Sequence, residues 1–166
     1  MPAFQAEWLL PISERPIHRG VLTVDDRGRI RDVGAADAVG ARDLGRVAVL
    51  PALVNAHTHL ELSYLRGRIL PAPGFGQWVG GVMAARRQFP DPSDPQIITP
   101  AREAVRAMRR SGTGLVGDVS NTLVTADLLR EAAMPAHVFY ELTGFTETDP
   151  TGRVAVQMRR RGTAFV

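Results

Sequence analysis

Val47-Ala48-Val49-Leu50-Pro51-Ala52-Leu53-Val54-Asn55-Ala56-His57-Thr58-His59 is the stretch on which the fold turns. The run from Val47 to Val54 is apolar and rich in valine, which reads as a buried strand. It ends in two histidines spaced i and i+2. Side chains alternate along a strand, so both imidazoles leave from one face. A neutral imidazole offers a lone pair to a metal ion. Two such ligands make half of a coordination shell, since a transition metal usually takes three or four protein ligands.

Downstream of the histidines the pattern alternates between helix and strand. Phe75, Trp78, Val79, Val82 and Met83 fall at the spacing of an amphipathic helix. Pro90, Pro92 and Pro95 interrupt it. Thr99-Pro100 predicts an N-cap followed by proline at the first helical position. Ala101, Ala104, Val105 and Met108 line the inner side of that helix, and Gly112 ends it. Leu115 to Val119 reads as a strand. Thr125 is positioned to cap a helix with Leu128, Leu129, Ala132 and Ala133 inside, and His137 to Leu142 reads as the next strand. A last helix is expected over 152–161, with a further strand opening at 163–166. Strands separated by helices of this length imply βα units and a parallel sheet. At ~31 residues per unit of a closed eight-fold barrel, Val47 to Val166 holds about four units. The expected fold class is therefore α/β, a partial (β/α)8 TIM-type barrel. An open four-unit sheet is the competing architecture, and it leaves the histidine pair without a reason.

Upstream, residues 6 to 46 read as short strands and turns. Val21 to Val24 and Ile30 to Val33 flank Asp25-Asp26-Arg27-Gly28, a hairpin signal with glycine available for a positive φ. Residues 35 to 46 look like a connection. So short a stretch cannot form its own core, so it is expected to be part of a small β-sandwich lobe. The expected domains are 1–46, the lobe, and 47–166, the barrel part.

Composition narrows the functional classes. Hydrophobic residues make up 45% and charged residues 22% of the 166 residues, which is globular rather than disordered. Cysteine is absent, so any metal must be held by histidine and carboxylates. All 20 basic residues are arginine, spread along the chain, and the net charge is only +3. Nucleic-acid binding needs a clustered basic face interleaved with aromatics, so no nucleic-acid partner is expected. No run approaches the ~18 apolar residues of a membrane span, and the N-terminal Trp8-Leu9-Leu10 is too short for a leader. A soluble cytoplasmic protein with no membrane partner is expected.

Pro51 to His59 resembles the first-strand signature of the amidohydrolase superfamily, with Ala52 where the usual form has glycine. Leu65-Arg66-Gly67 and Trp78 after a Pro/Gly loop are similar to its chlorohydrolase and aminohydrolase branch. Gly112 to Asp118 resembles its second barrel strand, and Val138 to Gly144 its third. His59-Leu60-Glu61-Leu62-Ser63 is similar to aminodeoxyfutalosine deaminase-like proteins. The resemblance covers nearly the whole chain, but only the N-terminal part of a family member.

That resemblance implies a divalent metal at the carboxyl-terminal mouth of the barrel, with His57 and His59 as ligands. Zinc is the first expectation, with Fe2+ or Mn2+ as alternatives. The metal would activate water for attack on a carbon bearing an amine, amide or other leaving group. The family's remaining ligands, a His on the fifth strand, a His on the sixth and an Asp on the eighth, have no counterpart here, nor has the proton-shuttling Glu. Catalytic residues are expected on those missing strands. His18 lies in the β lobe, and His137 starts its strand, at the opposite end from the mouth. Substrate-binding candidates are Glu61, Arg66, Trp78 and Glu141. Glu61 either touches substrate or is a solvated loop carboxylate. Arg66 either grips an anionic or carbonyl group or makes a structural ion pair. Trp78 is a pocket wall or a core residue. Asp118 ends the second strand facing the mouth, or caps a loop or helix. Glu141 shares its alternation with His137 and Phe139.

The function expected is hydrolysis of non-peptide C–N bonds, as in deamination of a small nucleoside-like or heterocyclic substrate, with this chain inactive alone. The rivals are a non-catalytic module that pairs with a complementary C-terminal chain or with itself, and a small α/β binding domain with structural histidines.

Overall fold

The hairpin expected around Asp25-Asp26-Arg27-Gly28 forms, and Asp25 organises it. Its carboxylate accepts the N–H groups of Arg27 and Arg29, both at 2.9 Å, and pairs with Arg31 at 2.8 Å. Gly28 takes the positive φ, 73°, that the turn demands. In the computed structural model, which describes residues 1–34, 39–142, 148–149 and 151–152, this hairpin belongs to the first of two units, Met1–Ala52 and Leu53–Val166.

The first unit contains two small sheets. One has the order β5-β4-β1-β6, from β1 (Ala3–Gln5), β4 (Val21–Val24), β5 (Ile30–Gly34) and β6 (Arg42–Asp43). The other is β3-β2-β7, from β2 (Trp8–Leu9), β3 (Ile17–His18) and β7 (Ala48–Val49). Ala6, Leu9 and Val21 are its buried apolar residues. The strand expected to run unbroken from Val47 is two strands. β7 pairs with β2, where the N–H groups of Trp8 and Leu10 donate to the carbonyls of Val47 and Val49 at 3.1 and 2.8 Å. Pro51 follows, and its missing N–H cannot continue a ladder. The unit boundary therefore falls at Ala52/Leu53, later than the 46/47 expected from sequence.

The second unit is built on a parallel sheet of order β10-β9-β8, from β8 (Leu53–Thr58), β9 (Thr113–Ser120) and β10 (Ala136–Tyr140). Helices α1 (Phe75–Arg87), α2 (Pro95–Arg110) and α3 (Thr125–Glu131) and a 3-10 turn (Leu60–Leu65) connect the strands. Leu60, Val105, Val116, Leu129 and Met134 form the main core, with Val138 and Met108 packed against it. Tyr64, Leu65 and Ile97 form a second cluster with Val82, Ala85 and Phe89. Even-numbered residues of β9 face the helices, and the opposite face stays open, leaving Val54, Leu115 and Phe139 exposed.

Three local expectations fail for identifiable reasons. α2 starts at Pro95, and Asp94 caps it by accepting the Gln96 N–H at 2.8 Å. The same Asp-Pro grammar occurs five residues before Thr99-Pro100, and burying Ile97 rewards the earlier start. Thr125 does not cap α3; its hydroxyl donates to the Asp118 carboxylate instead. α1 forms where the stripe predicts, yet it buries no residue fully, and Phe75, Trp78 and Met83 remain exposed. The helix expected over 152–161 and the strand at 163–166 lie almost wholly outside the described residues. Among the described residues no helix is long and apolar enough to cross a membrane.

Candidate metal centre at the carboxyl ends of the strands

Register decides where the histidines point. Asn55 pairs with Val116 and Thr58 with Asp118, so three steps along β8 match two along β9. This bulge changes the alternation. In an unbroken strand His57 would share the helix-side face with Asn55, whose amide meets Met108 of α2 at 3.4 Å. With the extra residue, Thr58 takes that face beside Asp118, and His57 and His59 both turn to the open face. Their ring centroids are 5.1 Å apart at an interplanar angle of 75°. His57 is exposed and His59 half-buried. The donor chemistry suits a divalent ion, but only as half a shell. Among the described residues no three His, Cys, Asp or Glu side chains gather as a metal site. His18 lies against Trp8 in the first unit, the ring centroids 4.8 Å apart and the planes tilted by 54°. His137 is the second residue of β10, and its ring centroid lies 4.4 Å from that of Phe139, tilted by 51°.

Asp118 lies in the middle strand and is 0% exposed. Its Oδ1 accepts the Leu60 N–H at 2.8 Å, directly after His59, and its Oδ2 accepts the Thr125 hydroxyl at 2.5 Å. Burial raises its pKa above the usual carboxylate range, and the nearby Glu61 charge adds to this; the hydrogen bonds from Leu60 and Thr125 offset it only in part.

Glu61 is neither a solvated loop carboxylate nor open to solvent. It is 4% exposed, and both oxygens accept from the chain. Oε2 takes the Ser120 hydroxyl at 2.7 Å, the Thr122 hydroxyl at 2.5 Å and the Thr122 N–H at 3.1 Å. Oε1 takes the Asn121 N–H at 3.0 Å and the Arg86 guanidinium at 3.2 Å. Burial by itself would raise this carboxyl, but hydrogen bonds from Thr122, Ser120 and the loop N–H groups outweigh it and hold the pKa below its ordinary value. Arg86 also donates to the side-chain oxygen Oδ1 of Asn121 at 2.6 Å, and the Asn121 side-chain Nδ2 donates to the backbone oxygen of Glu141 at 2.8 Å and to its carboxylate at 3.3 Å. One polar network thus joins the segments that follow all three parallel strands.

Of the other candidates, Glu141 sits on this network, half-buried. Arg66 is exposed and makes no ion pair with described residues, so the structural pairing foreseen for it is not present there. Trp78 is 44% exposed and lies 6.0 Å from Phe75, so the core role foreseen for it is not the one it has. Sequence reasoning missed Arg86, Ser120, Asn121 and Thr122. The signal was a run of three small polar residues directly after an apolar strand. A cleft of about 330 Å³ lies beside the network, lined by Tyr64, Met83, Arg87, Phe89 and Ile97 among others.

The pattern of the Amidohydrolase family matches residues 48–162, and the chain belongs to that family. A 5-methylthioadenosine/S-adenosylhomocysteine deaminase of Moorella thermoacetica is 30% identical over 148 residues, covering 84% of this chain and 34% of that protein. Aminofutalosine deaminase of Helicobacter pylori, solved in complex with methylthio-coformycin, matches with a TM-score of 0.75 at 21% identity, over 96% of this chain and 40% of its own. An adenosine deaminase of Xanthomonas campestris with bound zinc matches with a TM-score of 0.65 at 23% identity, over 81% of this chain and 32% of its own. The chain spans about a third or less of the length of the curated relatives it matches.

Proposed function

We propose that the chain is the N-terminal part of a metal-dependent hydrolase that deaminates a small nucleoside-like or heterocyclic amine. The observation that carries this reading is the bulge that brings His57 and His59 together on the open face at the carboxyl end of β8, inside the stretch that matches the family. Sites in parallel α/β barrels form at that end of the sheet. In this reading Leu53 onward is the start of a TIM-type barrel, and the first unit is part of a β-sandwich lobe. His57 and His59 would hold a divalent ion, zinc before Fe2+ or Mn2+. Bound there, the ion would supply activation of water near neutral pH. The net reaction joins water's oxygen to the ring carbon, breaks the C–N bond and releases ammonia.

The chain's own residues position groups around that reaction. Glu61 and Arg86 anchor the loop Asn121–Thr122, and Asn121 holds the Glu141 carboxylate at 3.3 Å. Glu141, Arg66 and Trp78 are the groups we assign to substrate, and Glu61 acts through Asn121. The setting is soluble and cytoplasmic. With two ligands of a full set among the described residues, the chain alone is expected to bind metal weakly and not to turn over substrate. Titrating the full chain with Zn2+ tests the site: binding weakened in both His57→Ala and His59→Ala supports it, and unchanged binding in both refutes it. Co-expression with a chain supplying the remaining strands, followed by ammonia release from adenosine-type amines, tests the reaction.

A second reading is favoured by the open apolar face. Leu53, Val54, Leu115 and Phe139 are all more than two-fifths exposed on β8–β10, an unusual display for a sheet centre. It makes the chain a module that pairs with a complementary C-terminal chain or with a second copy of itself, with or without catalysis.

A further inference from the structure

We propose that Asp118, together with the side-chain-free Gly117 beside it, is the positioning device for the His57/His59 pair; this rests on the metal-site reading above. The bulge between Asn55 and Thr58 is what turns His57 away from the helices, and it is fixed on both sides by β9. Before the pair, the Ala56 carbonyl presses onto Gly117. A Cβ at that position would lie 2.4 Å from the Ala56 oxygen and 3.0 Å from its carbon, so no other residue fits without moving β8. After the pair, the buried Asp118 carboxylate takes the Leu60 N–H at 2.8 Å. Its second oxygen is held by Thr125 at 2.5 Å, which stops the carboxylate from rotating away. His59 is thereby held one residue from a buried clamp anchored in α3. Asp118 lies on the helix side of β9 and Gly117 has no side chain, so neither is placed to ligate the ion. Each acts on the backbone that aims the imidazoles, as outer groups do when they orient metal ligands.

The test is Co2+ and Zn2+ titration of the full chain, with folding followed by circular dichroism. Gly117→Ala and Asp118→Leu are expected to weaken metal affinity by about tenfold or more, in the range typical of lost orienting groups. Asp118→Asn keeps an acceptor for the Leu60 N–H and is expected to stay within about threefold of the parent, a rescue that a general loss of stability would not produce. Thr125→Val is nearly isosteric, and serves where a harsher variant fails to fold. It is expected to weaken binding by about threefold, and parental affinity in it overturns the proposal. Parental affinity in folded Gly117→Ala or Asp118→Leu overturns it as well. If His57→Ala abolishes binding while these variants do not, only the positioning role fails. If His57→Ala changes nothing, the metal-site reading itself fails.

Discussion

Replacing Glu61 by alanine removes the group on which the carboxyl-end network converges. The side chain is 4% exposed and accepts five hydrogen bonds, from Ser120, Asn121, Thr122 twice, and Arg86. Losing one member of a buried ion pair typically costs about 3–5 kcal/mol. Each buried donor left without an acceptor adds about 1–3 kcal/mol, but the Ser120 and Thr122 hydroxyls can rotate toward other acceptors. Arg86 is 24% exposed and regains water, which lowers the total. The expected net loss for Glu61→Ala is about 3–5 kcal/mol. Glu61→Gln keeps the shape but turns an amide NH2 toward donors, and should cost about 2–3 kcal/mol. Urea unfolding of the full chain reads both. The pH dependence has a fixed sign. Glu61 has a folded pKa below its ordinary 4.5, so its contribution is whole above that value and is lost as pH falls through the folded value. Glu61→Gln should flatten that acid limb. A loss under about 1 kcal/mol in Glu61→Ala, or an acid limb unchanged in Glu61→Gln, would refute the argument that this carboxylate ties the strand ends together.

Asp118 carries the opposite sign. Its folded pKa lies above the ordinary 3.8, so the stabilisation from its protonated form is full below 3.8 and is lost as pH rises through the folded value. Asp118→Asn should therefore gain on the parent as pH rises across that window, measured by urea midpoints, and a constant difference counts against the burial argument. Asp94→Ala removes the N-cap of α2 and is expected to cost about 0.5–2 kcal/mol, with Thr99→Ala near neutral; the reverse order would return the helix start to Thr99. Phe139→Glu places a charge on the open face of β10, and is expected to shift the chain from oligomers toward monomer in sedimentation velocity, whereas a parent that is already a sharp monomer removes the case for a self-pairing face.

The readable parts of the fold are those set by neighbours in sequence. Asp25 and Gly28 sit within one turn, and the hairpin they dictate is present. The stripe Ala101, Ala104, Val105 and Met108 puts one face of α2 on the core, with Ala101 and Val105 buried and the other two packed against it. The rule failed at Thr99-Pro100 because two cap signals stood close together, and the burial of Ile97 chose between them. It failed for Trp78 because periodicity marks which residues share a face of a helix and says nothing of whether a partner covers that face.

The chain's order of residues was enough to place two imidazoles at the end of a strand and to identify the family, since alternation and a local motif need no distant partner. Which way those rings face was settled only by tertiary structure. The bulge depends on Gly117, some sixty positions away, and the clamp after His59 depends on Asp118 and Thr125. Glu61 likewise owes its burial to Ser120, Asn121 and Thr122. The physical reason is common to all three. A carboxylate or a strand irregularity gains its energy from donors and backbone brought in by other strands, and no pattern within a short window records which ones arrive.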